Sequence, residues 1–247
     1  MPRQHVATHI AIIAGVCLCL LAYLSFLGST ESPAPSAQLP AQAQAAELPE
    51  LPAQPHAMDV DSPDSTLVVV NKQRPLPVEY VPQDLVDADG VPLRLEAAEA
   101  YLEMVAEAAA AGVPISAVSG FRTGTEQDQL YVSYTENFGP ETADSISARP
   151  GYSEHQTGLA VDIANPDGSC ALEACFGESL AGSWAAANAH YYGFIVRYPA
   201  GAEHITGYAH EPWHLRYVGA EQSLSIHDAG TTMEEFAGLP AAPDYGQ

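Results

Sequence analysis

Apolar and polar positions repeat with two different periods along the chain, and the changes of period mark its elements. Leu67-Val68-Val69-Val70 is a short β-branched run and predicts the first ordered strand. From about Pro92 to Ala111, residues Leu95, Ala98, Leu102, Val105 and Ala109 recur at helical spacing and Gly112 supplies the stop, so a core-packing helix is expected. Its Tyr101 and Met104 read as packing residues. Ile115 to Ser119 reads as a strand that runs into Gly120-Phe121-Arg122. Thr123 followed by Glu126 is a capping-box signature, so a helix should start there and continue to about Phe138, ahead of Gly139-Pro140. Leu159, Val161 and Ile163 then alternate with Ala160 and Asp162, which predicts a strand burying the apolar trio on one face and presenting Asp162 on the other. Ser179 to Tyr192 is helical by pattern, with Leu180, Trp184, Ala187 and Tyr191 on one face and Gly193 as the stop. Phe194 to Tyr198 and Trp213 to Val218 read as strands, and Ala220 to His227 and Thr231 to Phe236 as short closing helices. Short strands separated by helices make the fold class α+β.

The ends of the chain have a different character. Residues 10–27 form an apolar run without a charge, long enough for a bilayer-spanning helix and longer than most signal-peptide cores. An uncleaved anchor with its N-terminus inside is the preferred reading and a cleaved signal the alternative; either way the remainder is exported. Between Ser29 and Thr66 the chain carries seven prolines with many Ala and Gln, the composition of a semi-extended spacer. The expected organisation is therefore a short cytoplasmic start (1–9), an anchor or signal segment (10–28), a linker (29–66), one domain (67–237) and a flexible tail (238–247). The domain is expected to work as a monomer outside the cytoplasm, at the cell membrane if the anchor is retained.

Charge narrows the partners. With 8 Lys and Arg against 31 Asp and Glu, the formal charge of −23 argues against nucleic acid and against an anionic membrane surface. Cys170 and Cys175 flank a short Ala-Leu-Glu-Ala segment and could close a small disulfide loop in an oxidising compartment; two unpaired thiols are the alternative.

The chemistry concentrates in two short stretches. Ser153-Glu154-His155-Gln156-Thr157-Gly158-Leu159-Ala160-Val161-Asp162 offers a histidine and an aspartate joined through a glycine that can fold one back towards the other. Glu211-Pro212-Trp213-His214 offers a second histidine and a spare carboxylate. Two histidines and an aspartate beside a free carboxylate are the inventory of a hydrolytic zinc centre with an open position. Glu211 and His214 would lie on opposite faces of a regular strand, so the chain must bend around Pro212 to bring both to one ion. His190 and His204 belong to neither stretch and read as structural, while His210, next to Glu211, is a candidate to support the site.

At these residues the sequence resembles the zinc D-alanyl-D-alanine carboxypeptidases of the VanY type, within the LAS metallopeptidases. The resemblance rests on S-x-H-x-x-G-x-A-x-D and E-P-W-H. It extends to Val70-Asn71-Lys72 with Pro75-Leu76-Pro77, to Ser119-Gly120-Phe121-Arg122 with Gln127, and to Gly193 through Pro199, covering about residues 67–219. It implies a small antiparallel sheet with packed helices around one Zn²⁺, held by His155, Asp162 and His214. It also implies catalysis by Glu211 with Arg122, and a substrate, the D-Ala-D-Ala end of a peptidoglycan stem peptide, gripped by Arg122, Gln127 and Ser153. Cleavage as an L,D-carboxypeptidase, a D,D-dipeptidase or an endopeptidase is not separated by these motifs. A non-catalytic module that only binds wall peptides is the alternative of another class; the carboxylate of Glu211 and Arg122 count against it, because a purely structural zinc site needs no adjacent base.

Overall fold

In the computed structural model, which describes residues 58–246, the first regular element is a hairpin that the apolar pattern does not announce. Strands β1 (Leu85–Ala88) and β2 (Val91–Arg94) pair antiparallel around Asp89 and Gly90, both at positive φ (58° and 86°). Two successive left-handed residues give a turn whose twist matches that of the strands, and Asp-Gly is a favoured pair for it. Because β2 occupies the residues before it, helix α1 runs from Leu95 to Ala110 and not from Pro92. Its buried stripe is Ala97, Ala98, Tyr101, Met104 and Ala108, whereas Leu95 and Leu102 are exposed. The expected face is thus rotated: the alanines let the helix lie close to the core, and Tyr101 and Met104 fill the space between.

The sheet behind α1 has four antiparallel strands in the order β3-β4-β6-β5: β3 Ser116–Ser119, β4 Ala160–Ala164, β5 Phe194–Tyr198 and β6 Glu211–Tyr217. Leu159, Val161 and Ile163 join α1, Phe194 and Leu215 in the main core, as the alternation predicts. Between β3 and β4 lie α2 (Gly124–Phe138), which opens on the full Thr123/Glu126 capping box, and α3 (Pro140–Ile146), a short helix with proline in its first turn. Helix α4 (Leu180–Asn188) begins at the Ser179 cap and buries Ala181, Gly182 and Ala185. Leu180 and Tyr191, expected on the buried face, are exposed, because contact runs through the small residues: a Cβ on Gly182 would stand 2.0 Å from the Phe176 carbonyl oxygen. A four-residue turn, α5 (Glu203–Thr206), precedes β6, and α6 (Ala220–Ala229) and α7 (Met233–Phe236) follow it.

Three expectations at the edges change. Leu67–Val70 is not a strand; Val68, Val69 and Val70 are buried, and their segment is tied by guanidinium groups, Arg216 donating to the Thr66 and Val68 carbonyls and Arg74 to that of Val69. Residues 58–66, expected in the linker, pack on the domain, where Val60 joins the cluster around Val69, Ile195 and Ile226. At the other end, the expected flexible tail is a packed strap: Ala242 is buried with its N–H donating to Ile205, and Tyr245 sits edge-on to Tyr152. The N-terminal apolar run and most of the Pro-rich segment lie outside the described residues. Among the described residues, no helix is long and apolar enough to cross a membrane.

Candidate active site

Local folding brings the two sequence stretches onto one face of the sheet. Ser153 leads into a single 3-10 turn, Glu154–Thr157, that ends on Gly158 at φ 68°, a left-handed position open to glycine. That reversal sets His155 back over β4, where Asp162 pairs in register with His214 of β6. The bend expected at Pro212 is an irregularity between β5 and β6: Val196 pairs with Leu215 but Tyr198 pairs with Glu211, so β6 spends two more residues than β5 over this interval. This extra chain brings the carboxylate of Glu211 to 3.7 Å from His214 Nδ1, where regular alternation would separate them.

One ligand atom from each of His155, Asp162 and His214 lies within 4.8 Å of the others, and all three residues are buried. His155 Nε2 is 3.1 Å from Asp162 Oδ2, and His214 Nδ1 is 3.1 Å from Asp162 Oδ1. Asp162 Oδ1 is nonetheless buried without a hydrogen-bond partner. Polar atoms that converge this closely without hydrogen-bond alignment, in a nitrogen-and-oxygen donor set, fit a divalent cation such as zinc. The other edge of each imidazole is also provided for. His155 Nδ1 is 2.7 Å from the Gly120 carbonyl, which fixes Nε2 as the free nitrogen, and His214 Nε2 faces Glu154 Oε2 at 3.4 Å.

Electrostatics follow the same arrangement. Burial works against charge on Asp162, but His155 and His214 beside it hold its carboxyl well below the usual carboxylate range. Burial opposes an imidazolium at His214, yet the carboxylates of Asp162 and Glu154 facing its two ring nitrogens outweigh it and push the metal-free side chain up to about 10. Glu211 behaves in the opposite way: burial pushes it up to about 7, with protonated His214 pulling against that rise.

These groups open onto a cleft of about 440 Å³ that also takes in Arg122, Gln127 and Ser153, so every residue expected to hold metal, catalyse or bind substrate lines the same hollow. Arg122 donates to Gln127 Oε1 at 2.7 Å and to Ser119 Oγ at 2.8 Å, and Gln127 in turn donates to the Ala148 carbonyl. Thus Arg122 is a held side chain and not a surface arginine. His210 reaches the cleft but is directed to the Tyr198 carbonyl at 3.0 Å. His190 and His204 are not in the cluster. Leu172 lines the cleft at φ 55°, inside the loop closed by the Cys170–Cys175 disulfide. The motif reading missed Glu154 and the two arginines that grip it, Arg197 (Nε to Oε1, 2.7 Å) and Arg216 (Nη1 to Oε1, 2.8 Å). A usable signal existed in the placing of these arginines inside apolar strands, Phe-Ile-Val-Arg-Tyr and His-Leu-Arg-Tyr, in a chain with only 8 basic residues.

Residues 91–220 match the family model described as VanY, D-alanyl-D-alanine carboxypeptidase. The chain belongs to that family. Among relatives, it is 40% identical to the putative carboxypeptidase YodJ of Bacillus subtilis (strain 168), over 72% of this chain and 68% of that one. Among solved structures, it is similar to the LdcB LD-carboxypeptidase (TM-score 0.68, 40% identity, 72% of this chain and 88% of that one). It is also similar to the vancomycin-resistance D,D-pentapeptidase VanY in complex with Zn(II) (TM-score 0.61, 31% identity, 69% and 98%). This VanY-family protein is accordingly a zinc metallopeptidase with the mixed helix and antiparallel-sheet fold of that group.

Proposed function

We propose that the enzyme is a D,D-carboxypeptidase that removes the terminal D-Ala from peptidoglycan stem peptides ending in D-Ala-D-Ala. The observation that carries the reading is the convergence of His155, Asp162 and His214 on one point, with Glu211 beside them and Arg122 in the same cleft. His155 Nε2, an Asp162 oxygen and His214 Nδ1 would hold the ion. Zinc, when bound, acidifies water and polarises a carbonyl oxygen. Glu211 takes a proton from the attacking water and returns it to the leaving amine, a role suited to a carboxyl whose proton affinity burial has raised towards neutrality. Arg122, kept in its orientation by Gln127 and Ser119, presents a planar guanidinium to the substrate's terminal carboxylate or to its developing oxyanion, and Ser153 lines the approach.

A second reading, L,D-carboxypeptidase, is favoured by one observation: identity is 40% to the LdcB LD-carboxypeptidase and 31% to the D,D-pentapeptidase VanY. Mass spectrometry of defined stem tripeptides, tetrapeptides and pentapeptides, with and without a chelator, separates the two. The pentapeptide is expected to lose one D-Ala and stop, and the chelator to prevent it. Trimming of the tetrapeptide while the pentapeptide persists would establish the L,D reading instead.

We also propose that the domain acts outside the cytoplasm as a monomer, held at the membrane by the residue 10–27 segment. The apolar pattern, the Pro-rich spacer and the disulfide support export and anchoring.

A further inference from the structure

A chain of buried charges leads away from the cleft, beginning at a metal-site histidine and ending in α7. Glu154 faces His214 Nε2 with Oε2 and gives Oε1 to both Arg197 and Arg216. Arg197 offers Glu154 only its Nε, at 2.7 Å, because both of its terminal nitrogens are taken by Glu234 of α7, at 2.9 and 2.6 Å. Asn71 Nδ2 donates to Glu234 Oε1 at 3.0 Å and fixes that carboxylate in turn. The side chains of Glu154, Arg197, Arg216 and Glu234 are all fully buried. Two carboxylates against two guanidiniums make the set neutral, which is the condition for burying it.

We propose that Glu234 is a positioning residue for the zinc site, acting through Arg197 and Glu154 on His214. The fork geometry of arginine links Glu234 to Glu154. A guanidinium grips a carboxylate best through two parallel hydrogen bonds. Glu234 occupies that two-pronged edge of Arg197 and leaves a single Nε for Glu154. Freed from Glu234, Arg197 would turn its fork on Glu154, engage both oxygens, and draw Oε2 away from His214. The histidine would then lose the carboxylate that faces its Nε2 at 3.4 Å, the oxygen placed to take the Nε2 proton when Nδ1 holds an ion. The inference rests on the zinc-peptidase reading and extends it to a residue that does not line the cleft.

The test compares Glu234→Gln with Glu235→Ala in the full chain. Glu235 caps the same helix through the Thr232 N–H and Oγ1, and its carboxylate makes no hydrogen bond or ion pair with the charge chain among the described residues, so its loss weakens α7 alone. Zinc affinity is measured by competition with a chromogenic chelator, beside melting temperature and separate kcat and KM values. Glu234→Gln is expected to bind zinc about 10-fold more weakly and to lose kcat with KM little changed, whereas Glu235→Ala lowers the melting temperature at parental zinc affinity. If Glu234→Gln melts lower but binds zinc like the parent, the proposal is overturned and the chain of charges is only structural. A parent protein that binds no zinc would instead remove the reading beneath it. Should Glu234→Gln fail to fold, Asn71→Ala, which removes one hydrogen bond from the Glu234 carboxylate and leaves the ion pair, takes its place; several-fold weaker zinc supports the proposal and parental affinity overturns it.

Discussion

Glu211→Gln is expected to retain zinc and to lose at least about 10²-fold in kcat/KM on D-Ala-terminated peptides. The substitution preserves volume and removes only the ability to accept a proton. Glu211 is not one of the three converging ligand residues; it stands at 3.7 Å from His214 Nδ1, close enough to share the same small volume and free to work on a water held there. Its side chain is only 14 % exposed, and that burial pushes the carboxyl up to about 7 in the metal-free site. A bound dication next to it adds positive charge, which favours the ionised, proton-accepting form at neutral pH. The acid limb of the kcat/KM profile should therefore report Glu211 and disappear in the variant. Parental turnover with full zinc content would refute the assignment.

How much of this site could be read from the residues depends on how locally each part is encoded. His155 and Asp162 sit in one stretch whose glycine permits the reversal, and Glu211 and His214 sit three residues apart, so four of the central groups are carried by two motifs. Their supports are not local. Glu154, Arg197, Arg216 and Glu234 come from four separate segments, and charged side chains default to the surface in any reading of pattern; the apolar strands around Arg197 and Arg216 hint at their burial, but nothing short-range pairs them with Glu154 or Glu234. The fold divides in the same way. The strand around Asp162 was legible because its alternation is strict and its apolar face enters the core. The buried face of α4 was not, because Gly182 and the alanines make contact by letting backbones approach, while the large Leu180 and Tyr191 that dominate a periodicity count face solvent. At Asp89-Gly90 the turn chemistry was present in the sequence, but helical spacing on its C-terminal side claimed the residues of β2.

Replacement of a ligand should have the largest effect. His155→Ala is expected to remove zinc from the purified protein, with activity falling on the order of 10³-fold or more, because several kcal/mol of transition-state stabilisation leave with the ion. The fold should survive: the strand pairing of β4 with β6 and the core around Leu159, Val161 and Leu215 do not depend on the imidazole, which itself bonds only the Gly120 carbonyl on its far side. Zinc content measured beside circular dichroism separates loss of metal from loss of structure, and an unchanged one-to-one zinc stoichiometry would rule His155 out as a ligand. The same site predicts a proton count for the parent. In the metal-free protein the carboxylates of Asp162 and Glu154 push His214 up to about 10, so at pH 7 the imidazole carries a proton on the nitrogen the ion requires. Zinc must displace it, which makes binding tighten by about tenfold for each unit of rising pH per proton released. Calorimetric titration in buffers of different ionisation enthalpy should show about one proton leaving His214 together with the fraction that Glu211 gives up, and in Glu211→Gln, which keeps zinc, the count should fall to the His214 proton alone.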